Sequence, residues 1–268
     1  MLDPQSFITT IGSVDSGDSS GSLPPVPSTV ARTLDCPGTV NKYIRYDTPP
    51  GPQLGSGDFT IAFFMRPTFL ANLGETREVF GSGQFDLGNE ASSYFRFYVN
   101  STGFNRISCD LSDGTTYYTV QSGISSLTDN TWAFVSMTYT SGTDTLSLSI
   151  NRAAATTASL VLSPADASED FRIGAAGLTT GNNPFQGQVS SIGIWQRVLT
   201  GTELDELYNS GDGLLFSSLA AGTVVGCVNY WQLDEAAALG EGVTRVDGPG
   251  SIDMDDFGAL ASSSEVPS

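Results

Sequence analysis

The chain reads as an all-β protein, a two-sheet sandwich or jelly roll with one short helix towards its C-terminal end. Three observations lead there. Glycine, serine and threonine abound, while charged residues make up only 15% of the 268 residues, the balance of a fold built from short strands and turns. Segments of apolar residues alternating with polar ones recur along the chain, each bounded by Gly, Asn, Asp or Ser, the period-two signal of strands. A single stretch, "LTGTELDELYNSGDG", has the spacing and the caps of a helix.

Residues 1–30 form a polar arm ending in "DSGDSSGSLPPVPSTV", where a Ser/Gly run passes into prolines that favour extended chain. The pattern changes at residue 31, and residues 31–218 carry the strands. "NKYIRYDTP" supplies a short one, and "GDFTIAFFMRP" places Phe59, Ile61, Phe63 and Met65 on one face. Phe64 falls on the other, which predicts a strand covered on both sides. "REVFGSGQF", "SYFRFYVNS", "NRISCDLSDG", "TTYYTVQSG", "TWAFVSMTYT" and "TLSLSINRA" follow. In "TLSLSI", Leu146, Leu148 and Ile150 alternate with hydroxyl residues, as in a half-buried strand. "DFRIGAA" and "GQVSSIGIWQR" complete the series. In the helix, Thr200 caps the start and Glu203 completes a capping box. Leu204, Leu207 and Tyr208 make one stripe and Gly211 is placed to close the end, about three turns later.

Charge and composition narrow the function. Lys+Arg total 11 against 29 Asp+Glu, a net charge of −18, and Lys42 is the only lysine. Such a chain repels nucleic acid. The absence of histidine removes the commonest general base and every Ser/His/Asp or Cys/His arrangement. Cys36, Cys109 and Cys227 lack metal-ligand spacing; they admit one disulfide at most and read more simply as buried thiols. The opening "MLDPQSFITTIGSVDSG" has no basic residue and no apolar run of signal-peptide length, and no later segment is long enough for a membrane span, so neither export by the general route nor membrane insertion is expected.

The stretch "NPFQGQVSSIGIWQRVLTGTELDELYNSGDG" closely resembles the closing signature of laminin G-like domains of the concanavalin A-like lectin/glucanase superfamily. The matching residues include Phe185, Gly187, Trp195, Arg197, Leu199 and Glu203, and then Leu207, Tyr208, Asn209 and Gly211. "GDFTIAFFMRP" is similar to the family's "dFTisfWvrp" strand, and "DNTWAFVSMTYTSGTDTLSLSINR" to its following hairpin, with Asn151-Arg152 in place of the usual Asn-Gly turn. The resemblance implies a concanavalin A-like jelly roll. Lectins, glycosidases, adhesion modules and structural spacers share that fold.

Glucanases of the superfamily carry E-x-D-x-(x)-E on one strand, where alternation sets the carboxylates on one face. Only "TELDELY", with Glu203, Asp205 and Glu206, has that look, and it lies on the predicted helix, so the chain is read as not an enzyme. The clusters Asp166, Glu169, Asp170 and Asp253, Asp255, Asp256 read as solvated loops. Calcium, held by loop carboxylates and carbonyls as in related domains, is the one cofactor the resemblance raises. For glycans, Tyr117, Tyr118, Asn182 and Asn183 are the candidate contacts, an aromatic to stack on a sugar and amides for its hydroxyls. One tyrosine of the pair is expected to pack inward, and Trp132 and Trp195 to belong to the core.

Three roles follow. The resemblance extends to tailed-phage structural proteins and implies a virion decoration, fibre or adhesion protein, a homo-oligomer on the virion surface that uses its jelly roll for assembly and glycan attachment. The alternative is a carbohydrate-binding module of a bacterial surface or secreted protein, and a β-glucanase-type glycosidase comes third.

Residues 219–268 stand apart. "NYWQLDEAAALGEGVTRVDG" resembles the strand and loop that open the domain in relatives, yet here it follows the closing helix. Tyr230, Trp231, Leu233, Asp234 and Glu235 are therefore candidates for an assembly segment, folded onto their own domain or docked on a neighbouring subunit. A third account makes the block the relic of a truncated tandem domain.

Overall fold

A computed structural model describes residues 33–38, 42–46, 51–68, 76–83, 93–100, 104–159, 171–175, 184–234, 244–245, 247–250, 252–257, 261–263 and 267. The strands are β1 (Thr33–Pro37), β2 (Tyr43–Tyr46), β3 (Phe59–Pro67), β4 (Thr76–Gly83), β5 (Ser93–Asn100) and β6 (Arg106–Ser112). They continue with β7 (Tyr117–Gln121), β8 (Ala133–Thr140), β9 (Thr145–Ile150), β10 (Thr156–Ser159), β11 (Phe171–Ile173) and β12 (Gln186–Trp195). After helices α1 (Gly201–Tyr208) and α2 (Ala221–Val224) come β13 (Cys227–Trp231), β14 (Thr244–Arg245), β15 (Met254–Phe257) and β16 (Ala261–Ser263).

These strands form two antiparallel sheets of eight, a concanavalin A-like jelly-roll sandwich. The first runs β10-β9-β8-β3-β12-β1-β16 with β13 also on β12, and the second runs β14-β15-β2-β11-β4-β5-β6-β7. Their facing sides make the main core. At its centre Phe63 meets Phe80 edge-on at 4.7 Å and Phe97 at 5.0 Å. Strand β3 is covered on both faces, with Phe59, Ile61, Phe63 and Met65 in that core and Ala62 and Phe64 in a second one under α1. The helix lays Leu204 and Leu207 on this outer side, beside Phe134, Trp195 and Tyr230. Trp195 is fully buried there, and partly buried Trp132 packs against the same cluster.

The capping box at Thr200 is formed: Glu203 N–H donates to Thr200 Oγ1 and Thr200 N–H donates to Glu203 Oε2. The helix is shorter than its pattern predicts, at eight residues. Asn209, rather than Gly211, provides the left-handed cap at φ 45°, because asparagine is the other residue that tolerates this conformation. In β9 the predicted alternation is broken at Ser149, which is buried because its hydroxyl donates to Ala153 O at 2.7 Å. No disulfide joins the three cysteines; Cys36 and Cys109 are buried and Cys227 half-buried.

The C-terminal segment supplies strands to both sheets. Strand β12 pairs with β3 along one side, and its other side is shared end to end. There β1 takes Gln186–Val189 and β13 takes Ile192–Trp195. Between these two stretches β12 bulges against β3, with Ser191 at φ 53°. Strand β13 thus prolongs the row of β1. Gly193, opposite Tyr230, has to be glycine, since a Cβ would stand 2.3 Å from the Trp195 ring. The segment then crosses to the second sheet as β14 and β15 and returns as β16 beside β1.

Candidate functional site

The outer side of the first sheet is occupied by α1 and its flanking turns. The outer side of the second sheet carries polar residues instead. Its alternation is strict in β5 and β6: Phe95, Phe97 and Val99, and Ile107, Cys109 and Leu111, enter the core. Arg96 and Tyr98, and Ser108 and Asp110, consequently turn outward. Strand pairing then sets Arg45, Arg172, Gly81, Arg96, Asp110 and Thr119 in one row across the sheet.

Asp110 organises this row. It is 1% exposed and accepts from Arg96 Nε at 2.9 Å, Thr119 Oγ1 at 2.6 Å and Tyr98 Oη at 3.2 Å. Arg96 adds a second contact, Nη2 to Asp110 Oδ2 at 2.8 Å, and stacks 4.6 Å over the Tyr98 ring. Burial, and then the Asp110 carboxylate, push the Tyr98 phenol up to about 12, so it stays a donor at neutral pH. Beside the row, Glu78 is buried with its carboxylate over Gly81; a Cβ on that glycine would come within 2.8 Å of Glu78 Oε1. Arg172, also buried, lies 4.9 Å from the Tyr43 ring centroid.

Of the predicted contacts, Tyr117 and Tyr118 divide as their alternation implies. Tyr118 packs against the main core, while Tyr117 is 43% exposed on the outer face, beside Ser112 in the ladder. The turn before it is rigid, because Asp113 Oδ1 accepts from Thr115 N at 2.8 Å and Thr116 N at 2.7 Å. Asn182 and Asn183 lie outside the described residues, as do Asp166, Glu169 and Asp170. Sequence reading missed Arg96, Tyr98 and Asp110, although the polar positions of "SYFRFYVNS" and "NRISCDLSDG" carried the signal.

The assembly candidates complete the sandwich of their own chain. Trp231 and Leu233 are fully buried and Tyr230 nearly so, while Asp234 is half-buried and Glu235 lies outside the described residues. Trp231 Nε1 donates to Ile252 O at 2.8 Å. Buried Asp247 gathers Tyr230 N at 2.8 Å, Ile252 N at 3.3 Å and the Asn229 amide, and its own N–H donates to Asp253 Oδ1 at 2.8 Å. Three donors thus converge on that carboxylate, which anchors the loop. Among the described residues no three His, Cys, Asp or Glu converge as metal ligands, and no helix there is long and apolar enough to cross a membrane. Glu203, Asp205 and Glu206 are spent on structure: Glu203 on Arg197, Asp205 on Arg152, and Glu206 on Ala220 N and Thr223 Oγ1.

The family model of the concanavalin A-like lectin/glucanases superfamily, of laminin G type, matches residues 38–205. No curated protein sequence matches the chain. Among solved structures, a candidate carbohydrate-binding protein from Bacteroides ovatus is similar at 17% identity and a TM-score of 0.60, over 89% of this chain and 61% of that one. The chain therefore spans about three fifths of that protein. A heptameric SAP-like pentraxin from Limulus polyphemus matches at 14% identity and 0.50, over 66% of this chain and 82% of that one. The CBM40 module of a Ruminococcus gnavus IT-sialidase, bound to α2,3-sialyllactose, matches at 15% identity and 0.50, over 66% of this chain and 96% of that one. At these identities the likeness is one of fold.

Proposed function

Since the chain belongs to the concanavalin A-like lectin/glucanases superfamily, we propose that it is a non-catalytic glycan-binding module, working at a surface or outside cells, whose ligand lies on the outer face of the second sheet. The observation that carries this reading is the exposed ring of Tyr117 beside the Arg96–Asp110–Thr119 row. Aromatic side chains offer sugars an apolar face, and a few fixed polar groups beside them select hydroxyls. The Bacteroides ovatus protein and the CBM40 module lend support, since both are named for carbohydrate binding.

Catalysis has no comparable support. The carboxylates described on this face, Glu78 and Asp110, stand on β4 and β6, not on one strand, and Asp110 is surrounded by three donor side chains. The role in virion assembly rests on the resemblance to phage proteins alone, and the carbohydrate-binding alternative now has more behind it. A glycan microarray probed with the fluorescently tagged protein tests the reading. Specific hits that vanish in Tyr117→Ala support it; an empty array, or hits indifferent to that substitution, overturn it.

A further inference from the structure

Four large hydrophobic residues are exposed in the described chain, and two of them, Phe104 and Tyr117, stand at opposite ends of β6. Arg106 shares the outward parity of Ser108, Asp110 and Ser112, and its guanidinium lies 4.7 Å over the Phe104 ring. The Phe104 ring is therefore on the same outer side as Tyr117. Arg106 Nε is buried without a hydrogen-bond partner, and the guanidinium stacks on the ring.

The Phe104 platform is as firmly mounted as the Tyr117 one. Ser125 N donates to Phe104 O at 2.6 Å and Leu127 N to Asn105 O at 3.0 Å. Ser122 Oγ accepts from Ile107 N at 3.1 Å, which sews the next loop alongside. From Arg106 to Ser112 the strand covers about 20 Å at about 3.4 Å per residue. Between the ends lie half-buried Gln121, beside Ser108, and half-buried Arg96 and exposed Thr119, on either side of Asp110, an amide, a guanidinium and a hydroxyl.

We infer that this strip is a linear binding site for an extended, uncharged oligosaccharide of several sugar units, with Phe104 and Tyr117 as terminal stacking platforms. The inference rests on the glycan-binding reading and specifies its ligand. The length comes from the separation of the rings. The expectation of an uncharged ligand comes from the net charge of −18, which repels polyanionic chains, and from the pairing of Arg96 with Asp110, with Arg106 stacked on Phe104 at one end of the strip.

Isothermal titration with uncharged gluco-, xylo- and manno-oligosaccharides of graded length, from two to six units, tests it. The affinity of at least one series is expected to rise about tenfold between the shortest and longest chains. Phe104→Ala should abolish that rise, and Phe104→Trp should restore it. Equal affinity at all lengths, or a rise that survives Phe104→Ala, overturns the two-platform site and leaves the glycan reading standing. Binding confined to charged glycans overturns the inferred ligand class alone. If glycans of every class fail to bind, both fall.

Discussion

The indole of Trp231, on β13 of the first sheet, stacks on the ring of Phe171, on β11 of the second, with centroids 5.1 Å apart and planes 23° from parallel. A side chain from the last fifth of the sequence thus ties the two sheets together. Trp231→Ala should cost about 3–5 kcal/mol, read as a lowered urea midpoint. Removal of residues 219–268 strips β13 to β16 from both sheets, so the shortened chain should show no cooperative unfolding transition. A cooperative transition in it would mean that the segment is an accessory.

Asp110 and its donors form one unit. Asp110→Ala leaves the Arg96 guanidinium and the Tyr98 and Thr119 hydroxyls without their acceptor and should destabilise the protein by about 3 kcal/mol. Asp110→Asn keeps one carbonyl acceptor and should cost less. Thermal unfolding of the two variants beside wild type checks the order.

Glu203 gives stability a pH dependence of known sign. Hydrogen bonds from Arg197 hold its carboxyl down at about 2, against an ordinary 4.5, with Thr200 helping and burial opposing. A depressed value means that the contribution is complete above the unfolded-state value and is lost as pH falls towards the folded one. The melting-temperature gap between wild type and Glu203→Gln should be constant above about pH 5 and close progressively below it. A gap that widens in acid would contradict the assignment.

The Asn151-Arg152 turn has φ of 49° and 60°, a conformation costing a non-glycine residue roughly 1–2 kcal/mol. Arg152 meets that cost by donating to Asp205 Oδ1 at 2.7 Å and to Gly201 O at 3.2 Å, fastening the turn to α1. Arg152→Gly relieves the backbone while losing the clasp and should be close to neutral. Arg152→Ala loses the clasp and keeps the strain, so it should be the less stable by about 1 kcal/mol. Chemical denaturation of the pair separates the two contributions.

Much of the fold was legible in the sequence because local patterns decide it. The unbroken apolar run of β3 announced cover on both sides, and Thr200 and Glu203 marked where α1 begins. The binding face was not legible in the same way. Arg96, Asp110 and Thr119 come from three strands, and only the pairing register puts them in one row. Nor did local pattern show where Trp231 would go. The apolar cost of exposing it demanded some core, but the register in which β1 pairs with Gln186–Val189 and β13 with Ile192–Trp195 is a property of the assembled sheet.

The central claim is that the outer face of the second sheet holds a glycan. Amide chemical shifts of the isotope-labelled protein, titrated with the best glycan from the microarray, test it most directly. The account predicts concentration-dependent shifts centred on Arg96, Tyr117 and Thr119. Shifts confined to the outer side of the first sheet or to the loop at Asp247, with β5, β6 and β7 unmoved, would contradict it.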